Sequence, residues 1–221
     1  MSSPEPLRIA VLVNTPPDND FWNDVSESYR AAFGVVAPNA QLDIGGKADA
    51  SSSEPWVLGV LEFLRKTAQT SPETKILGIC WGHQAISRAF GGEVRAVPTG
   101  PIAGIEDVKL TEAGKKFFAC APGITSYRLP EFHVREVARP GLGFVHLAEN
   151  HEMFLNHENT VLTFQSHPEV QPVLAKKMLL EEDDVYNGNL SKVELENHLK
   201  RLDQPTDGFE VLRRVVEWVK E

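Results

Sequence analysis

Lys75-Ile76-Leu77-Gly78-Ile79-Cys80-Trp81-Gly82-His83-Gln84 is the stretch on which the reading of this chain turns. Lys75 to Cys80 is a short, largely apolar run of the kind that forms a buried strand. From Trp81 to Phe90 the spacing becomes helical, with Ala85, Ile86, Ala89 and Phe90 on one side, and Gly91-Gly92 closes the helix. Cys80 therefore falls between two glycines where a strand gives way to a helix, the layout of a nucleophile elbow. In such a turn the reactive side chain projects from the carboxyl edge of the sheet on a strained backbone, and the flanking glycines avoid collisions with neighbouring elements. A thiol at a helix N-terminus faces unpaired N–H groups and the positive end of the dipole, which favours the thiolate.

Upstream, Leu7 to Val13 reads as a central strand stopped by Asn14-Thr15-Pro16-Pro17. Asp18, Asn19 and Asp20 can cap a helix in which Phe21, Val25, Tyr29, Ala32 and Phe33 recur until Gly34. Ser53-Glu54-Pro55 opens a second helix carrying Trp56, Val57, Val60, Leu61 and Leu64, with its end expected near Lys66. Strands alternating with helices predict an α/β fold, flavodoxin-like and doubly wound, with a mostly parallel sheet and helices on both faces. Between Gly34 and Gly45 only Gln41 to Ile44 offers a strand, so one crossover is abbreviated. From Glu93 to Gln165 the texture is mostly strand and loop, with β-like runs at 94–97, 107–110, 132–137, 144–147 and 161–165. Helical spacing returns at Val173 to Leu180, after the capping-box residues Ser191 and Glu194, and around Leu212, Val215, Val216 and Val219. A single domain over 1–221 is expected, with a core of about 7–180 and a helical extension at 190–221.

Twenty-two Lys and Arg against 31 Asp and Glu leave a formal charge of −9, a surface that repels a phosphate backbone, so nucleic acid is not expected as a partner. Two cysteines, Cys80 and Cys120, make neither a disulfide framework nor a structural zinc site, which fits a reducing compartment. The first residues have no basic leader, and nowhere do about 18 apolar residues run uninterrupted, so a cytoplasmic protein without a membrane span is expected. Cys120 reads as structural, His146, His151 and His157 as loop or surface residues, and Trp22, Trp56 and Trp218 as helix-to-sheet packing. Glu181 to Asp184 reads as a solvated helix end.

Taken alone, Cys80 reads as well as a small core residue. A second motif, Gln165-Ser166-His167-Pro168-Glu169, follows the apolar run Val161 to Phe164. In an extended segment His167 and Glu169 point to the same side, so the carboxylate can fix the imidazole tautomer while the other ring nitrogen faces a nucleophile. On its own this stretch reads equally as a solvated turn.

Together the two motifs resemble the class I, or triad, glutamine amidotransferases. Gly78 to Gln84 is similar to that family's nucleophile motif, and Gln165 to Glu169 to its His-x-Glu motif, in the same order. Gly45-Gly46-Lys47-Ala48-Asp49 with Glu54-Pro55-Trp56 resembles the oxyanion loop and following helix of stand-alone members similar to the glutaminase domain of GMP synthase. Val108 to Lys115 and Glu131-Phe132-His133 also look like that subgroup, and Phe132-His133-Val134-Arg135-Glu136 stands where glutaminase domains carry a Ser-His-Gly-Asp pattern.

The resemblance implies that Cys80, His167 and Glu169 are catalytic. Cys80 would attack the γ-glutamyl amide of glutamine to give a thioester, with His167 as acid and then base and Glu169 as its orienter. The N–H groups of Trp81 and Gly46 would form the oxyanion hole, and Gln84 and His133 would bind substrate, although Gln84 reads equally as a helix-packing residue. The expected substrate is glutamine or another γ-glutamyl compound, which makes a γ-glutamyl peptidase the alternative activity. A catalytically inactive binding or regulatory protein is the alternative from another class. No metal or organic cofactor is expected. The chain has no phosphate-binding Gly-x-x-x-x-Gly-Lys loop, so a synthase that accepts the ammonia would be a separate polypeptide.

Overall fold

Along the chain, β1 (Arg8–Leu12), α1 (Asp20–Val36), β2 (Gln41–Gly45) and α2 (Pro55–Thr70) precede the junction of β3 (Ile76–Ile79) with α3 (Trp81–Ala89). Strands dominate the middle: β4 (Glu93–Ala96), β5 (Ile102–Lys109), the short helix α4 (Glu112–Phe117), β6 (Ser126–His133), β7 (Arg135–Arg139), β8 (Phe144–His146), β9 (Met153–Asn156) and β10 (Val161–Phe164). Helices α5 (Pro172–Glu181), α6 (Lys192–Arg201) and α7 (Gly208–Val219) complete it. This is a computed structural model, and it describes residues 8–12, 20–36, 41–45, 50–181, 185–188 and 190–221.

Parallel pairing joins β1 to β2 and β3 to β10. The abbreviated segment therefore still supplies its strand at Gln41–Gly45. In the second pair Gly78 lies opposite Thr163 and Ile79 opposite Phe164, which brings the ends of two strands far apart in sequence to one edge. Antiparallel partners extend the framework: β9 beside β10, β8 beside β9, β4 with β7, and β5 with β6.

Side chains alternate across this sheet and meet helices on both faces. Leu77, Ile79, Leu162 and Phe164 point to a core completed by Val211, Val215 and Trp218 of α7. Ile76 and Val161 point the other way, to Val57, Leu61 and Leu64 of α2 and to Ala85, Ile86 and Ala89 of α3. Burying each such aliphatic side chain contributes about 1.5–3 kcal/mol, which makes these faces the main source of the sheet's rigidity. A third cluster joins Leu174, Ala175, Met178 and Leu179 of α5 to Ile105, Phe132 and Leu202. Among the described residues no helix is long and apolar enough to cross a membrane.

Several elements differ from their sequence expectation. The run at 132–137 divides into β6 and β7 at Val134, because the chain leaves β5 there and takes up β4, with the Val134 carbonyl accepting from Val97 N at 3.0 Å. Helix α4 was not expected, since six residues hold too few apolar positions for a periodic signal. Thr111 caps it by accepting from Gly114 N at 3.1 Å. Helix α2 runs past Lys66 to Thr70, whose hydroxyl donates back to the Lys66 carbonyl at 2.9 Å. The expected capping box is present, Ser191 and Glu194 each accepting from the other's backbone N–H. Trp218 is buried in helix-to-sheet packing as expected, but Trp56 is 37% exposed and stacks on Trp81 at 6.0 Å. The Trp22 side chain and most of the acidic run at 181–184 lie outside the described residues.

Candidate active site

Cys80 is the single residue between β3 and α3. Its N–H donates to the Phe164 carbonyl of β10 at 2.8 Å, and its own carbonyl accepts from Gln84 N at 3.1 Å, the first bond of the helix. With both backbone groups committed, the residue adopts φ 48° and ψ −99°, a conformation costing a non-glycine residue on the order of 1–3 kcal/mol. Strand and helix are thereby pressed together at Gly78, where a Cβ would stand 2.6 Å from Ile86 Cδ1 and 2.7 Å from the Gly82 carbonyl carbon. At Gly82 a Cβ would meet nothing within 4 Å, so the expected steric role of paired glycines belongs to Gly78 alone. Trp81 opens α3, and its N–H is one of the donors left free at a helix N-terminus. Gly46, the other expected oxyanion donor, lies outside the described residues.

His167 and Glu169 follow β10 on the same sheet edge as Cys80. The His167 N–H donates to the Pro130 carbonyl at 2.8 Å and its ring Nδ1 meets Glu169 Oε1 at 2.8 Å. The segment is a turn, with Val170 N donating to the His167 carbonyl at 3.1 Å, so a turn, not the expected strand alternation, places the two side chains together. Burial disfavours a charge on the ring, but the neighbouring Cys80 and Glu169 outweigh it and raise the His167 pKa well above its ordinary value. With Nδ1 held by the carboxylate, Nε2 is the nitrogen available to the sulfur.

Helix α1 reaches the same place. Ser28 Oγ donates to the Glu169 carbonyl at 2.6 Å. Tyr29 lies against Glu169 and Cys80 as well: burial, then the charge of Glu169 and a hydrogen bond to it, push its phenol well above the usual range. Neither residue had a site role in the sequence reading, which placed Tyr29 only on the apolar face of its helix, because a helix position reports that one face is buried and not what that face meets.

Gln84 and His133 are buried and bonded to protein atoms. Gln84 Nε2 donates to the Arg135 carbonyl at 2.8 Å and to Gln165 Oε1 at 3.1 Å. His133 Nδ1 is 2.8 Å from the same Arg135 carbonyl, which can only accept, so Nδ1 carries the proton. His133 Nε2 lies 3.2 Å from Glu131 Oε2. Burial pushes His133 down and Glu131 up to about 8, so a protonated Glu131 faces a neutral imidazole. Glu152 beside Glu131 is pushed up to about 9, by burial and then by the Glu131 charge. Gln165, Glu131 and Glu152 had no assigned role in the sequence reading. Adjacency to His167 and His133 was the available signal for Gln165 and Glu131, and none pointed to Glu152.

The glutamine amidotransferase class-I family model matches residues 50–185, which include Cys80, His167 and Glu169. The chain belongs to the class I glutamine amidotransferase family. The chain is 48% identical to the glutamine amidotransferase-like protein chyE of Penicillium rubens over 243 aligned residues, covering 100% of both chains. It is 32% identical to gamma-glutamyl peptidase 2 of Arabidopsis thaliana over 142 residues, 62% of this chain and 54% of that one. Among solved structures, a glutamine amidotransferase from Thermotoga maritima superposes with a TM-score of 0.68 at 16% identity, over 98% of this chain and 100% of that one. The chain thus has the flavodoxin-like α/β fold expected from its alternating strands and helices.

Proposed function

We propose that this protein hydrolyses a γ-glutamyl amide through a Cys80–His167–Glu169 triad, glutamine being the first substrate to test. The observation that carries the reading is the 2.8 Å pairing of His167 with Glu169 in a ring whose charge Cys80 favours. The Cys80 sulfur attacks the amide carbonyl, forming a C–S bond and a tetrahedral oxyanion that takes donors from Trp81 N–H and, in this reading, Gly46 N–H. Collapse breaks the C–N bond as His167 gives its proton to the departing ammonia, leaving a thioester. A water then loses its proton to His167, attacks the thioester and regenerates the thiol, while Glu169 holds the imidazole in one tautomer throughout. The ammonia would pass to a synthase on a separate polypeptide.

A γ-glutamyl peptidase is the second reading, favoured by the likeness to the Arabidopsis peptidase. It uses the same steps with an amine as leaving group. A binding protein that keeps the fold without turnover is the third. Incubation of the protein and of Cys80→Ala with glutamine and with glutathione separates them. Ammonia from glutamine, absent with Cys80→Ala, supports the glutaminase; cleavage of glutathione alone supports the peptidase; neither product overturns the hydrolase reading for the isolated chain.

A further inference from the structure

Beside Cys80, two buried glutamine side chains meet end to end, and a backbone carbonyl fixes which way their amides are turned. Gln84 and Gln165 are both almost completely buried. The fixed point is the Arg135 carbonyl, which accepts and cannot donate, so the Gln84 atom 2.8 Å from it is the amide nitrogen. That same nitrogen has a second hydrogen, and its second neighbour, at 3.1 Å, is an end of the Gln165 amide. A donor there requires the Gln165 oxygen to face Gln84. The Gln165 nitrogen is then turned the other way, and it lies 3.6 Å from the Cys80 sulfur, within hydrogen-bond reach for that large atom. Flipping Gln165 would set two NH2 groups against each other and an oxygen lone pair against the sulfur, with no solvent to compensate in a buried site.

Another polar neighbour of the sulfur, besides Gln165 and His167, is an acceptor, the Phe132 carbonyl at 3.7 Å. A protonated thiol can give its hydrogen to that carbonyl. A thiolate cannot, and is held by donors instead, of which the Gln165 N–H at 3.6 Å is one. We infer that Gln165 is a further catalytic residue, a side-chain donor that stabilises the Cys80 thiolate in an orientation imposed by Gln84 and the Arg135 carbonyl. His133 completes the anchor, since its Nδ1–H donates to the same carbonyl at 2.8 Å. The inference rests on Cys80 being the nucleophile of the proposed reaction, but the contact it invokes is independent of the substrate.

The test needs no substrate. Alkylation of Cys80 by iodoacetamide is followed by mass spectrometry from pH 5 to pH 10 in the wild type, Gln165→Leu, Gln165→Glu and His167→Ala. Among the described residues, His167 and Tyr29 are titratable side chains that act on the sulfur, and both are retained in the Gln165 variants. Removing one hydrogen bond to a charged group lowers the rate at pH 7 about tenfold and displaces the pH–rate curve to higher pH. Gln165→Glu keeps the volume and an acceptor for Gln84 but sets a carboxylate against the sulfur, so its displacement is at least as large. It also serves if the leucine variant does not fold. A Gln165 curve that coincides with the wild type, or one lowered equally at every pH, overturns the inference. An unmoved curve in His167→Ala, with displaced Gln165 curves, removes the triad and leaves the Gln165 contact standing. Displacement by His167→Ala alone does the reverse.

Discussion

Gly208, the first residue of α7, lies so close to Pro168 that a Cβ on it would stand 2.2 Å from the Pro168 carbonyl oxygen. Pro168 is the residue between His167 and Glu169, so the N-terminus of the last helix braces the turn that pairs them. Gly208→Ala must push that turn or the helix aside, and such overpacking costs about 1–3 kcal/mol. The proposed glutamine hydrolysis is expected to fall at least about tenfold, with a lowered Tm, because a small misplacement of reacting groups has effects of that size. Unchanged turnover and Tm would show that the turn is not braced from α7.

Ser28 ties α1 to the same turn from the other side through its 2.6 Å bond to the Glu169 carbonyl. Ser28→Ala leaves that buried carbonyl without this donor and is expected to lower the unfolding free energy by about 1 kcal/mol in a denaturant titration. Because the bond holds the backbone of Glu169, kcat should fall while KM stays near its wild-type value.

The two glycines beside Cys80 separate cleanly. Gly78→Ala drives a methyl group into Ile86 and the Gly82 carbonyl carbon, at 2.6 and 2.7 Å, and is expected to destabilise the fold by about 1–3 kcal/mol or more. Gly82→Ala meets nothing within 4 Å and lies in the first turn of α3, so its stability should match or exceed the wild type by up to about 1 kcal/mol. Thermal melts of both variants check the contrast, and equal losses would contradict it.

Glu131 and Glu152 make stability depend on alkaline pH. Their folded values, about 8 and about 9, lie above the ordinary 4.5, so the folded protein keeps protons that the unfolded chain has released. The unfolding free energy should therefore decline as pH rises from about 4.5 towards 9, by up to about 1.4 kcal/mol per pH unit for each group, and then level off. His167, raised above its unfolded value, adds a loss in the same direction as pH passes through its folded pKa. Glu131→Gln and Glu152→Gln remove their own titrations, so denaturant titrations across this range should show shallower slopes. A wild-type slope retained in both variants would place the pH dependence elsewhere.

The elbow was legible because it is local: a strand, a cysteine, glycines and a helix follow one another within ten residues, and each carries its own short-range signal. The His167-Pro168-Glu169 pair was legible as residue types, but the reason for its geometry was not, since the turn that forms it depends on Pro130, Ser28 and Gly208, each brought from another element. The network of Glu131, Glu152, His133, Gln84 and Gln165 was invisible for a related reason. A buried carboxyl or amide is marked by its partners, and these come from α3, β6, β7, the turn before β9 and the segment after β10.

By itself, then, the order of residues determined the alternation of strands and helices and the position of Cys80 at a strand end. Periodicity and turn chemistry act over a few residues and leave a trace in the text of the chain. Which side chain offers Cys80 a donor, which helices hold Glu169 and which carboxyls have raised pKa values were decided only when distant elements packed. Burial and hydrogen-bond partnership are properties of the space around a side chain, and neighbours in sequence do not define that space.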